Sequence, residues 1–340
     1  MKFEKDVITI NDVAKAANVS KTTISRYLNG KFDYMSQDTR KRIQNVIEEL
    51  KYRPSSVAQT LKSNKSGLIG VIIADIASQF SSILLKGIGD VCQANGYKVI
   101  ISNVDNDPAK EREYLESLLD NKVEGIVVNT TGYNNELLID INENRVPIVM
   151  ADRIMDELKI DSVATNNYSI TFDTIKFLAD KGYKNIAFIT QDPERNSARH
   201  LRQKGYLDAM KEFLNIDASN LVYTIDVGDK NTTIKAIEKF NTEYRNKLKA
   251  IFTANGVVLL NVLQGIQECN YKIPEDFYVC GYEDWGWARL AYSKIPVISQ
   301  HSYDVGVESA KMLIKRINGK RKEKPKYIEL EAKLIIGDSE

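Results

Sequence analysis

From Leu68 onward the chain alternates between short β-branched runs and longer amphipathic stretches, and this alternation limits its folds more than any other feature. The runs LIGVIIA (68–74), KVIISN (98–103), GIVVNT (125–130), PIVMAD (147–152), NIAFIT (185–190), LVYTID (221–226), AIFTAN (250–255) and FYVCGY (277–282) read as strands. Helical patterns such as SSILLKGIGDVCQAN, AKEREYLESLLDN and ARHLRQKGYLDAMKEF lie between them. A βαβα order implies a parallel sheet covered by helices on both faces. There are too many units for one ordinary sheet, so two doubly wound parallel-sheet lobes fit better. In such sheets a ligand sits beyond the carboxyl ends of the strands. That rule marks Asp75–Phe80, Thr130–Thr131, Asp152–Arg153, Gln191–Arg202, Asp226–Asp229, Asn255 and Glu283–Trp285 as pocket-lining stretches. No glycine-rich dinucleotide fingerprint follows any strand. Gly87 and Gly89 fall inside a helix pattern and read as packing glycines.

The first 65 residues are of another kind. In TINDVAKAANVSKTTISRYLNG (9–30), Ile10, Val13, Ala14 and Ala17 recur at helical spacing, Asn18-Val19 interrupts them, and Ser20 stands as N-cap of a second helix ending at Asn29-Gly30. Two short helices joined by a tight turn form a helix-turn-helix, whose second helix enters the DNA major groove. A third helix, SQDTRKRIQNVIEELKY from Ser36, presents Ile43, Val46, Ile47 and Leu50 as an apolar stripe and closes an all-α head. Pro54 then allows a short helical segment, too short to be stable alone, before the polar linker Ser63–Gly67.

Charge divides the chain at the same place. Residues 1–65 carry 13 Lys/Arg against 7 Asp/Glu, and the remainder 34 against 39. A basic head on an acidic body points to a polyanion partner for the head alone. The three cysteines (Cys92, Cys269, Cys280) and two histidines (His200, His301) are scattered, which suits free thiols in a reducing cytosol and no metal site. No apolar run approaches the ~18 residues of a membrane span, and no signal-peptide pattern opens the chain. A cytoplasmic protein without membrane contact is expected.

These motifs together resemble the lactose/galactose repressor (LacI/GalR) family of transcriptional regulators. TINDVAKAANVSKTTISRYLNG, MSQDTRKRIQNVIEELKYRPS, VAQTLKS and IGVII follow the family pattern almost continuously, and RxxGY at Arg202–Tyr206 and GYED at Gly281–Asp284 extend it. The LNGKFDYMS loop and the IADIASQFSSILLKGI segment are most similar to the subgroup that controls 2-keto-3-deoxygluconate and hexuronate catabolism. The resemblance implies a helix-turn-helix head (1–53), a hinge helix and linker (54–66), and a periplasmic-binding-protein-like core for effector binding and dimerisation (67–340). It places an N-lobe at about 67–163 and 297–325 and a C-lobe at about 164–296 and 326–340, with crossovers near Asp161–Asn166, Ile295–Gln300 and Lys324–Ile328.

Function follows as a set of expectations. Lys21, Thr22 and Arg26 lie on the open face of the second helix, where an arginine can bind guanine bidentately and a threonine can meet a base edge or a phosphate. Thr9, Ser20, Ser36 and Thr39 fit phosphate contacts, helix caps or both, and Asn29 at the end of the second helix is a further DNA-binding candidate. The resemblance puts the hinge contacts at Ser55, Ala58, Leu61 and Lys62, with Leu61 wedged into the minor groove of double-stranded operator DNA. It puts effector contacts at Arg202 and Glu283. Phe80 suits stacking on a sugar face, and Ser78, Asn255 and Trp285 are further candidates. Arg195 and Arg199 crowd the same turn with one residue more than the family pattern, so which arginine enters the cleft stays open. Their number suggests an anionic effector, a sugar acid or phosphate. The family's usual aspartate in GYED is Glu283 here.

The reading is a homodimeric, non-enzymatic repressor on a pseudo-palindromic operator, controlled by a carbohydrate or sugar-acid effector and needing no cofactor. A solute-binding receptor would share the core but not the basic head. A catabolite-control regulator acting with a phosphotransferase-system partner is the alternative within the family.

Overall fold

The computed structural model describes residues 8–33, 35–52, 65–155, 157–283, 286, 295–319 and 323–336. The chain forms two compact units, Met1–Ser66 and Gly67–Glu340. The hinge positions Ser55, Ala58, Leu61 and Lys62 lie outside the described residues, as does Trp285.

In the first unit, α1 (Ile10–Ala16), α2 (Lys21–Leu28) and α3 (Gln37–Glu49) pack around Val13, Ala14, Ala17, Ile24 and Ile43. The tight turn between α1 and α2 passes through Asn18 at φ 49°, a left-handed conformation that asparagine tolerates better than most side chains. Ser20 and Ser36 cap α2 and α3 by accepting hydrogen bonds from Thr23 N (3.1 Å) and Thr39 N (3.2 Å). Arg42 of α3 donates from Nε to the carbonyl of Ala17 (2.9 Å), tying the third helix to the turn.

The second unit holds two six-stranded sheets. The first sheet contains β1 (Leu68–Ile73), β2 (Lys98–Asn103), β3 (Gly125–Val128), β4 (Ile148–Ala151) and β5 (Asp161–Thr165). Its sixth member is β11 (Tyr327–Leu330), and the order is β11-β5-β4-β3-β1-β2, all parallel. The second sheet is built from β6 (Asn185–Thr190), β7 (Val222–Thr224), β8 (Lys249–Thr253), β9 (Tyr278–Tyr282), β10 (Val297–Ser299) and β12 (Lys333–Ile335). Its order is β12-β10-β9-β8-β6-β7, with only β12 antiparallel. The central strands are apolar and almost wholly buried, as strands covered on both faces must be.

Two strands depart from the sequence reading. DSVAT at β5 and VIS at β10 carry no long apolar run, yet both are mostly buried. The expected lobe boundaries also shift. β10 belongs to the second sheet, so an N-lobe segment cannot begin at 297, and β11 belongs to the first, so the C-lobe cannot resume at 326. The chain crosses at Asn166, again after Gln300, and finally at Glu331–Ala332, beyond the expected Lys324–Ile328. The physical reason is a paired join. Asn166 N–H donates to the Leu330 carbonyl (3.1 Å), and Ala332 N–H donates to Asn166 Oδ1 (2.8 Å), so the first and third crossings lie side by side.

The first sheet is covered by α4 (Gln79–Ala94), α5 (Pro108–Asp120), α6 (Asn135–Asn144) and α11 (Ser302–Asn318); the second by α7 (Asn167–Asp180), α8 (Ser197–Leu214), α9 (Lys230–Glu243) and α10 (Gly256–Glu268). Gly87 and Gly306 let α4 and α11 touch backbone to backbone, because a Cβ on either would collide with a carbonyl of the other helix. Gly89, expected to pack likewise, faces open space. Among the described residues no helix is long and apolar enough to cross a membrane.

Candidate functional site

Two surfaces qualify, one on each unit. On the first unit, α2 turns Ile24 into the core and leaves Lys21, Thr22 and Arg26 exposed. These three share the open face of the helix proposed to read DNA. Thr9, Ser20, Ser36, Thr39 and Asn29 are engaged locally. Thr9 donates from both N–H and hydroxyl to Asp12 (2.8 and 2.6 Å), holding that carboxylate below its usual range. Ser20 and Ser36 are the caps described above, the Ser36 hydroxyl also donates to Thr39 Oγ1 (2.9 Å), and Asn29 donates to the Ser25 carbonyl (2.6 Å). Capping aims the free N–H groups of the helix starts outward, the arrangement that binds phosphate.

On the second unit a cavity of about 110 Å³ opens at the carboxyl ends of both sheets. Its wall includes Asp75, Ser78 and Phe80 from the first lobe and Gln191, Asn255 and Glu283 from the second. Ser78 is the N-cap of α4. Asn255 caps α10 by accepting from Val258 N (3.0 Å), and its amide donates to Gln191 Oε1 (3.0 Å).

Arg202 is 4 % exposed and fully built in. It donates from Nε to Asn167 Oδ1 (2.7 Å), from Nη1 to the Ala254 carbonyl (2.6 Å) and from Nη2 to Gln300 Oε1 (2.8 Å). Its guanidinium lies 3.7 Å above the ring centroid of Tyr282, a cation–π contact in a dry setting. Tyr282 in turn shares a 2.7 Å hydrogen bond with Thr171. Glu283, next to it in sequence, is 6 % exposed and accepts from the Ser302 hydroxyl (3.0 Å). Burial pushes its carboxyl up to about 8, against the opposing pull of Arg202 and of the hydrogen bond from Ser302. Burial likewise raises Asp152, with Arg202 and Arg153 pulling the other way. Glu283 (φ 43°) and Asp152 (φ 68°) both sit in the left-handed region, a strain that concentrates at ligand sites.

Among the three arginines left open by the sequence, Arg199 and Arg202 line the cavity. Arg195 does not: its backbone turns through φ 61°, its carbonyl lies close to Gly132, and its guanidinium lies 5.6 Å from the Tyr133 ring centroid. Arg195, expected as an effector contact, is thus not on the cavity wall. Sequence reasoning passed over Arg153 as an individual candidate. It follows β4 and reaches the same cavity, donating from Nη1 to the Thr130 carbonyl (2.8 Å) and from Nη1 and Nη2 to Asn106 Oδ1 (3.2 Å each). The strand-end rule had marked its stretch, but nothing local set it apart from a surface charge. Asn167 and Gln300, which orient Arg202, carried no signal at all.

This geometry can be set beside known proteins. Residues 9–55 match the model described as "Bacterial regulatory proteins, lacI family", and residues 69–322 match "Periplasmic binding protein domain". The chain is 39% identical to HTH-type transcriptional regulator KdgR of Bacillus subtilis (strain 168), over 97% of each chain. The chain belongs to the LacI family. It is a DNA-binding transcriptional regulator of that family, and its head and core occur in the family's order. Catabolite control protein A of Priestia megaterium is 33% identical over 92% of this chain and 93% of its own. Among solved structures, the lac repressor dimer bound to operator and the anti-inducer ONPF matches with TM-score 0.81 at 22% identity, covering 97% of this chain and 98% of that one. At that identity the likeness shows the fold alone.

Proposed function

We propose that this LacI-family member is a homodimeric repressor of carbohydrate-catabolism genes, and that a small carbohydrate-type ligand bound between its core lobes sets its affinity for a pseudo-palindromic operator. The observation that carries this is the polar cavity at the lobe junction, walled by both sheets and lined by Arg202 and Glu283, in a chain whose family membership supplies the DNA-reading head. A ligand touching both lobes binds one lobe arrangement better than another, and that differential affinity is what shifts an equilibrium. No catalytic role is assigned to any residue. The cytoplasm, where the operator is, is the proposed location.

In this reading Lys21, Thr22 and Arg26 meet base edges. Thr9, Ser20, Asn29, Ser36 and Thr39 meet phosphates at or near helix ends, and Ser55, Ala58, Leu61 and Lys62 form the hinge contacts. Two heads serve two half-sites, hence the dimer. Arg26→Ala is expected to lower affinity for the selected operator by roughly 10- to 100-fold, the cost of one bidentate base contact of about 1–3 kcal/mol. Binding to unrelated duplex should change little. Fluorescence anisotropy on both duplexes checks this, and equal losses on the two would remove Arg26 from base reading. Leu61→Ala should likewise weaken specific binding far more than non-specific binding.

A further inference from the structure

Two contacts join the core lobes directly, at positions far in sequence from the three crossings. At the first, Gly132 in the loop after β3 meets the backbone of Arg195, in the loop between β6 and α8. A Cβ on Gly132 would lie 2.0 Å from the Arg195 carbonyl oxygen, so only glycine permits the approach. Gly132 holds φ 88° and Arg195 φ 61°, both left-handed. The Arg195 guanidinium lies 5.6 Å from the ring centroid of Tyr133, the next residue in the first-lobe loop. At the second contact the Ile154 N–H, after β4, donates to the hydroxyl of Ser197 (2.8 Å), the first residue of α8.

Both sides of the junction are held firmly within their own lobes. In the first lobe the fully buried Glu111 of α5 accepts from the Thr131 N–H (2.9 Å), the Thr131 hydroxyl (2.5 Å) and the Asn134 amide (2.8 Å), which fixes the loop on either side of Gly132. Arg153 donates to the Thr130 carbonyl (2.8 Å) and so ties the Gly132 loop to the segment that carries Ile154. In the second lobe the buried Asn196 donates its N–H to the Pro193 carbonyl (3.1 Å) and accepts from the Arg199 N–H (3.0 Å), which fixes the turn of Arg195 to the start of α8 beside Ser197. The contacts between the two sides are slight by comparison: one hydrogen bond, one close backbone approach and one ring contact made by the exposed Tyr133. Two rigid bodies that meet through a few weak contacts can part without either one unfolding.

We infer that Gly132, Tyr133 and Ile154 of the first lobe and Arg195 and Ser197 of the second form a latch, which holds the lobes in their present arrangement and sets the resting balance between lobe arrangements. None of these five residues lines the cavity, so the latch acts without touching a ligand there. The inference rests on the proposed coupling of lobe arrangement to operator affinity, and it adds a contribution to that coupling that no ligand supplies. A ligand walled by both lobes favours the same arrangement as the latch, so the two push one equilibrium in the same direction. Breaking the latch then weakens ligand binding and shifts operator affinity, although no residue of the cavity or the head has changed. Because Arg153 joins the Gly132 loop to the Ile154 segment, the two contacts form and break together.

The test follows amide exchange and operator binding in full-length wild type, Gly132→Ala and Tyr133→Ala. Gly132→Ala blocks the close approach; Tyr133→Ala removes only an exposed ring and keeps the test open should the first variant fold poorly. Neither change touches the Ile154–Ser197 hydrogen bond. Exchange at Ile154 should nonetheless quicken, about tenfold in Gly132→Ala and less in Tyr133→Ala, because exchange reports the population of the parted state. The Thr131 amide, bonded to Glu111 inside the first lobe, should keep its protection. Affinity for a duplex selected from a random pool should shift by roughly threefold or more, in the same direction in both variants and in the order of their exchange rates. Whichever hexose, hexuronate or hexose phosphate most raises the wild-type melting temperature should bind both variants more weakly. Ile154 exchange unchanged in both variants, or exchange that quickens equally at Thr131, would overturn the latch and leave the proposed function standing. Release of Ile154 with operator affinity unmoved would overturn the inference together with the proposed coupling of lobes to head.

Discussion

Glu283→Gln raises the melting temperature of the ligand-free protein at pH 8 by about 5–10 °C and leaves it nearly unchanged at pH 4.5. Burial lifts the Glu283 carboxyl from its ordinary 4.5 to about 8 in the folded chain. Between those values the folded state holds a proton that the unfolded state releases, so stability falls as pH rises, and the full penalty is present above 8. At 1.36 kcal/mol per unit the ceiling is about 5 kcal/mol, and relaxation around the charge reduces this to a few. For a unit of this size each kcal/mol moves the melting temperature by roughly 2–4 °C. Glutamine keeps an oxygen to accept from Ser302 and cannot ionise, so it removes the penalty without emptying the position. Melting curves for both proteins from pH 4.5 to 9 check this. Parallel curves, with no widening above pH 6, would mean that Glu283 is charged in the folded protein.

Arg202→Ala is expected to destabilise the core by several kcal/mol and not merely to silence ligand response. Three acceptors lose their donor at once: Asn167 Oδ1 at the start of α7, the Ala254 carbonyl after β8, and Gln300 Oε1 after β10. Each buried group left unsatisfied costs about 1–3 kcal/mol, and the Tyr282 ring loses its cover. The removed charge was itself expensive to bury, which offsets part of the loss. Chemical denaturation measures the net. Arg202→Lys keeps the charge but cannot reach all three acceptors in one plane, so it should recover only a minor part. A ligand-blind Arg202→Ala protein of native stability would show that Arg202 acts on ligand alone.

Much of this was legible in the sequence, and the gaps have physical causes. The eight β-branched runs all became strands; the central ones are apolar along their length because they are buried on both faces, while the edge strands β2 and β7 are only partly buried. β5 escaped for the converse reason. DSVAT is buried with Asp161 at one end, where Arg316, 155 residues away, and the Lys326 N–H satisfy its carboxylate. β10 is three residues long and β11 and β12 lie in one continuous strand-like stretch, so their assignment to different sheets depends on pairing that no local pattern records.

The candidate sites divide in the same way. Lys21, Thr22 and Arg26 follow from helical periodicity, which fixes the exposed face of α2. Ser78, Phe80, Asn255 and Glu283 follow from strand ends, where any doubly wound sheet opens its cleft, and Arg202 from the match of RxxGY in α8 to the family pattern. Arg195 differs because sequence proximity to Arg199 does not reveal its left-handed backbone or its packing beside Tyr133. Arg153 was missed as an individual because its meaning depends on Arg199, which stands on the other lobe.

In the proposed function a ligand in the core sets the DNA affinity of the head. The direct measurement is the dissociation constant of full-length protein for a duplex selected from a random pool, with and without a saturating stabilising ligand, at fixed salt because phosphate contacts make affinity salt-dependent. The account predicts a selected site of two-fold symmetry and a change in dissociation constant of at least tenfold, about 1.4 kcal/mol of coupling. A bound ligand that leaves the dissociation constant unchanged would contradict it.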